Sequence, residues 1–89
     1  MAEFLVELYR PRTATSLTCA AERARAGAEE LTREGIPVRY LRAIFVPDDE
    51  ICFHLYEAGT ADEVSEASAR AEIAYERIVR VVSVDLART

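Results

Sequence analysis

The sequence contains no lysine. Its 11 basic residues are all arginine, and 16 acidic residues outnumber them for a formal charge of −5. That balance opposes broad nucleic-acid or anionic-membrane binding, both of which want a basic face. Cysteine is scarce. Two residues, Cys19 and Cys52, in a chain of 89 make no disulfide framework. With three glycines there is no Gly-rich phosphate loop, and no Ser-His-Asp arrangement or paired-Cys motif is present. No apolar run approaches the roughly 20 residues of a membrane span. The N-terminus carries Glu3 and has neither a basic region nor an apolar stretch of signal-peptide length. A soluble, cytoplasmic protein is the expectation. Rarest of the reactive side chains is histidine, present once as His54.

What remains is rich in β-branched, aromatic and helix-forming residues. Residues 38–46 and 51–57 alternate in strand fashion around Pro47-Asp-Asp-Glu50, which reads as an antiparallel hairpin with a solvated turn. Residues 3–9 form a first strand and residues 78–86 a last one, with Ala87–Thr89 as a terminal tail. Between them, Leu17, Ala20, Ala24, Ala28 and Leu31 recur at helical spacing. Thr13 suits the N-cap of that helix, with Ser16 in its first turn. Gly35 and Pro37 mark its end. Thr60-Ala-Asp-Glu63 is a capping box before a second helix with the stripe Val64, Ala67 and Ala71. The order strand, helix, strand, strand, helix, strand predicts one α+β domain over residues 1–89. Its architecture is a ferredoxin-like split βαβ sandwich, with an antiparallel sheet in order 4-1-3-2 and both helices on one face.

Side-chain parity then divides the sheet. Phe4, Val6, Leu8, Leu41, Ala43, Phe45, Ile51, Phe53 and Leu55 are assigned to the helix side, which keeps Arg42 out of the core. The free face receives Leu5, Glu7, Tyr9, Tyr40, Arg42, Ile44, Val46, Cys52, His54, Tyr56, Arg80, Val82 and Val84. This assignment needs an odd-length connection or a bulge around residues 47–50, because a plain four-residue loop inverts one strand. A face so apolar is rarely left in water. The expectation is an isologous homodimer with a pocket between the two sheets.

Three chemistries are open on that face. Glu7 and His54 on neighbouring strands suit a carboxylate-oriented general base, with Tyr9, Tyr40, Tyr56, Arg42, Arg80 and Cys52 lining the pocket. Cys52 and His54, two residues apart, suit two ligands of a transition metal that a dimer axis doubles to four. Set against both is a structural network, with a half-buried His54 hydrogen-bonded to a neighbour and Cys52 as filler. Cys19, in the first turn of the first helix, reads as buried filler, and interleaved Arg and Glu on that helix as a solvated, paired face rather than an RNA platform.

Several blocks also carry a resemblance. Phe4-Leu-Val-Glu7, Pro37-Val-Arg-Tyr-Leu-Arg42, Cys52-Phe-His-Leu-Tyr-Glu-Ala58, Ala61-Asp-Glu-Val64 and Tyr75-Glu-Arg-Ile-Val79 resemble a family of small bacterial proteins catalogued as a domain of unknown function. Some of its members are labelled nickel-binding. The resemblance spans nearly the whole chain and implies a ferredoxin-like fold and dimers. A nickel site is expected to use several imidazoles, and this sequence offers one. The resulting expectation is a homodimeric binding protein holding nickel, another divalent transition metal, or a small apolar ligand at the free sheet face. The alternative is a small lyase, isomerase or cyclase using Glu7 and His54 for proton transfer.

Overall fold

Six elements alternate along the chain in the computed structural model, which describes residues 1–14 and 16–86. They are β1 (Ala2–Tyr9), α1 (Leu17–Arg33), β2 (Val38–Val46), β3 (Ile51–Ala58), α2 (Ala61–Arg70) and β4 (Arg77–Val81). The sheet runs β2-β3-β1-β4, every neighbouring pair is antiparallel, and the fold is the ferredoxin-like α+β arrangement. The core lies between one sheet face and the helices: Phe4, Val6, Val38, Tyr56 and Ala58 meet Ala24, Ala28 and Leu31 of α1 and Val64 and Ala67 of α2. Among the described residues no helix is long and apolar enough to cross a membrane. The expected tail Ala87–Thr89 lies outside the described residues.

Local chemistry sets the element ends. Ser16, not Thr13, caps α1, its hydroxyl accepting from the Cys19 amide at 3.3 Å. Thr13 falls instead in a turn in which the Ala14 amide donates to the Pro11 carbonyl. Gly35 sits at φ 96° just beyond α1, where its amide donates to the Thr32 carbonyl and the Ile36 amide to that of Leu31. This left-handed C-terminal motif satisfies carbonyls the helix cannot. The Thr60 hydroxyl accepts from the Glu63 amide at 3.2 Å, and the Glu63 carboxylate accepts from the Gly59 amide at 2.9 Å. Cys19 is exposed rather than buried, and both cysteines are free.

The two helices are locked together by small residues and one arginine. Arg70 of α2 donates to Glu30 and Glu34 of α1 at 2.6–2.9 Å and to Glu66 of its own helix at 3.1 Å. Arg23 of α1 donates to the Ala71 carbonyl at the end of α2. Gly27 lets the backbones touch: a Cβ there would stand 2.8 Å from the Ala67 carbonyl oxygen.

The register departs from expectation in three places. First, Pro47–Glu50 is a plain four-residue turn with no bulge, so β3 is inverted: Val6 pairs with His54 and Phe4 with Tyr56. Cys52, His54 and Tyr56 therefore face the helices, and Ile51, Phe53 and Leu55 occupy the free face. Second, the bulge falls inside β2, between Tyr40 and Arg42. It leaves Arg42, Ile44 and Val46 on the free face as expected but turns Tyr40 to the helix side, opposite Tyr56. Third, β4 ends at Val81. Arg80 pairs with Phe4, which places it on the helix side, and Val82 and Val84 lie beyond the strand.

Replacing Gly27 with alanine would improve helix propensity yet force two backbones apart. The expected net effect of Gly27→Ala is a loss of about 1–3 kcal/mol, read as a lower midpoint in thermal unfolding. An unchanged or raised midpoint would show that the helices do not approach this closely.

Candidate functional site

The sequence-derived site residues divide between the two faces. On the helix side, one row across β2, β3, β1 and β4 is Ala43, His54, Val6, Ile78, and its neighbour is Tyr40, Tyr56, Phe4, Arg80. His54 is 1 % exposed. The Tyr40 hydroxyl lies 2.7 Å from its Nδ1, and the Cys52 Sγ lies 3.9 Å from its Nε2. Tyr40 also meets the Tyr56 ring edge-on, with centroids 5.2 Å apart and planes at 75°. The only imidazole thus sits in a stack of phenols and a thiol beneath the helices.

Burial governs the protonation of this group. Desolvation, reinforced by the positive charges of Arg10 and Arg23, lowers the His54 pKa to about 4. Desolvation, joined by Tyr56 and Cys52, pushes the Tyr40 phenol well above its usual range. It raises the Cys52 thiol too, against the pull of Arg10. A neutral phenol beside a neutral imidazole is satisfied when Tyr40 donates to Nδ1, which puts the ring proton on Nε2, directed at the Cys52 sulfur. Desolvation also raises Tyr56 to about 12, opposed by the Ser68 hydroxyl. The two hydroxyls act on one another without hydrogen-bonding geometry, and among the described residues neither has a partner.

The free face carries a different set. Its rows are Arg39, Glu57, Glu3, Val81; then Arg42, Leu55, Leu5, Val79; then Ile44, Phe53, Glu7, Arg77; and, across β2, β3 and β1 at the far end, Val46, Ile51, Tyr9. Glu7 is engaged by Arg77 at 2.8 Å. Arg39 approaches Glu57 at 3.6 Å. Tyr9 donates to Glu50 at 3.4 Å, and that carboxylate also accepts from the Arg12 amide at 2.8 Å.

Glu7 and His54 therefore project from opposite sides of the sheet, and a carboxylate–imidazole pair is not assembled. Of the expected pocket residues, Tyr9 and Arg42 are on the free face, whereas Tyr40, Cys52, Tyr56 and Arg80 are not. The Cys52–His54 pair is similarly inside the protomer, where a dimer axis across the free face cannot double it. Nδ1 is engaged by Tyr40, leaving one nitrogen and one thiol. Among the described residues no group of three or more His, Cys, Asp or Glu side chains is placed to hold a metal ion. Two donors do not fit a nickel site. Of the residues that sequence reasoning left out of the site, Phe53 and Leu55 were signalled only by the even length of the hairpin turn, while Arg77 and Val79 are placed by the pairing of β4 with β1, which no local signal marks.

Compared with known proteins, the chain matches no family model and no curated protein. Among solved structures it is similar to the SCO4226 protein of Streptomyces coelicolor A3(2). The TM-score is 0.72 at 20% sequence identity, over 93% of this chain and 100% of that one. At that identity the likeness shows the shared fold.

The buried imidazole makes stability depend on pH. His54 has its folded pKa lowered to about 4 from 6.5, so the unfolded chain binds the proton first as the pH falls. The contribution is complete above pH 6.5 and is lost progressively down to pH 4, about 3 kcal/mol in all. Urea unfolding at pH 7 and 4.5 should show this loss, and His54→Gln should flatten it. An equal pH slope in both proteins would contradict a neutral, buried His54.

Proposed function

We propose that this chain is a homodimeric binding protein whose two copies pack free face to free face and hold a small apolar ligand between their sheets. The observation that carries the reading is the apolar centre of that face: Leu5, Phe53, Leu55, Val79 and Ile44 are contiguous in the register, with Ile44 44% exposed, Leu5, Phe53 and Val79 half-buried and Leu55 buried among them. Isolated apolar side chains are ordinary on a surface, but a continuous patch of this kind marks an interaction site. The molecule is a slab of 37 × 36 × 22 Å, and a broad side has room for the roughly 800 Å² per partner of a stable interface. The rim suits self-association. Arg39 with Glu57 and Arg77 with Glu7 give each copy both charges, which a two-fold axis sets against their opposites.

Binding is favoured over chemistry because the free face offers a carboxylate already engaged by Arg77 and no imidazole. An apolar ligand is favoured over a metal ion because the one imidazole faces the helices and brings a single thiol with it. Dimers agree with the resemblance to the small bacterial family, and the cytoplasm is the compartment that two free thiols suit best.

Native mass spectrometry of freshly purified, tag-free protein tests this reading, with metal analysis of the same sample. The expected result is a metal-free dimer carrying an organic adduct. Phe53→Asp should give a monomer with an unchanged circular dichroism spectrum and no adduct. A wild-type monomer would overturn the proposal, and a dimer with stoichiometric metal would overturn its choice of ligand.

A further inference from the structure

Two features of the sheet edges fit one another. β2 is an edge strand, so among the described residues the side of its backbone away from β3 has no strand partner. Beside it, a cleft of about 490 Å³ opens between α1 and β2, bordered by Leu17, Ala21, Arg25, Leu41, Arg42 and Ala43 among others. Four consecutive residues, Tyr40 to Ala43, line this cleft. The bulge between Tyr40 and Arg42 leaves Leu41 without a partner in β3; Tyr40 and Ala43 reach the cleft from the helix side of β2, and Arg42 borders it from the free face.

The second feature is the segment that follows β4. Residues 82–86 read Val-Ser-Val-Asp-Leu and belong to no strand, and Val82, Val84 and Leu86 are 80–86% exposed. The segment has the composition and period-two pattern of a strand without a sheet to join. Near its start the Ser83 hydroxyl donates to Glu3 at 2.6 Å. Chains ordinarily protect an open edge and an exposed apolar strand, because each invites pairing.

We infer that residues 82–86 of one copy add as a strand to the β2 edge of a second copy, and reciprocally, within the homodimer proposed above, on which this inference rests. Main-chain bonds to β2 supply the pairing, and alternate side chains enter the cleft, as in other strand-addition complexes. Val82, Val84 and Leu86 then meet Leu17, Ala21 and Leu41. The same alternation directs Asp85 to the opposite side, where Arg42 lies beside Leu55 in the register. Arg42 has no ion-pair partner among the described side chains, and the pairing gives the docked segment charge complementarity as well as shape.

Hydrogen exchange and sedimentation of the full chain test the exchange of strands. The probe is the double variant Val84→Asp/Leu86→Asp, which changes only exposed positions. In the wild-type dimer the outward-facing amides of Val38–Val46 should exchange at least tenfold more slowly than in the variant, whose dimer dissociation constant should rise at least tenfold. Equal exchange in both, or an unchanged dissociation constant, overturns the inference. If the double variant dimerises normally while Phe53→Asp is monomeric, face-to-face dimerisation stands without strand exchange. A monomeric wild type removes both.

Discussion

Strand β3 is held between β1 and β2 by a register that sets His54 opposite Val6 and Tyr56 opposite Phe4, and the rest of the molecule depends on it. Because side chains alternate with a period of two, the strand has only two choices, and either one fixes both faces at once. The choice made buries Cys52, His54, Tyr56 and Ala58. It does so without leaving the imidazole unsatisfied, since Tyr40 reaches it from β2 at 2.7 Å. An unpartnered buried polar group costs roughly 1–3 kcal/mol, so the bulge that turns Tyr40 inward is part of what makes this register tolerable. The consequence lies on the other side of the sheet, where Ile51 and Phe53 are left facing outward.

The helical layer accepts that core because it approaches closely. Ala24 and Ala28 of α1 and Ala67 of α2 present almost no side chain, and Tyr56 from the sheet packs in the core they line. Arg70 ties the two helices through Glu30 and Glu34, with Glu66 of its own helix as a third carboxylate, and that cluster keeps Glu34 ionised below its ordinary range. One sheet face is therefore committed to polar satisfaction under a tight helical cover, and the other to apolar surface. The proposed recognition between copies belongs to the second. The imidazole, phenols and thiol that look reactive in the sequence are, in the fold, desolvated and held in their neutral forms.

How much of this was legible in the chain depends on the range of the signal. Strand order and every helix end but the first, where Ser16 rather than Thr13 is the cap, were written locally: Gly35 takes the left-handed position, Thr60 and Glu63 form their cap, and the strand–helix alternation leads to the ferredoxin-like sheet. The faces were not. Ile51-Phe53-Leu55 and Cys52-His54-Tyr56 are similarly apolar sets on one strand, and no local rule ranks them. The decision rested on keeping Arg42 out of the core, which was correct for Arg42. It was carried across the turn by assuming the irregularity lay at Pro47–Glu50, whereas the extra residue is accommodated at Leu41. One misplaced bulge moved His54, Tyr40 and Tyr56 through the sheet and separated Glu7 from its supposed partner. β4 fell short for a related reason: Val82 and Val84 favour extended backbone, but β1 has only Ala2 and Met1 left beyond Glu3, which pairs with Val81.

The account turns on a neutral His54 bonded through Nδ1 to Tyr40 beneath the helices. Long-range proton–nitrogen NMR correlation of the single imidazole reads both its tautomer and its titration. The account predicts an Nε2-protonated ring that remains neutral down to about pH 5, below the ordinary histidine range. A ring that titrates near pH 6.5 would place His54 outside the buried core and contradict the assignment of faces on which the proposed binding surface rests.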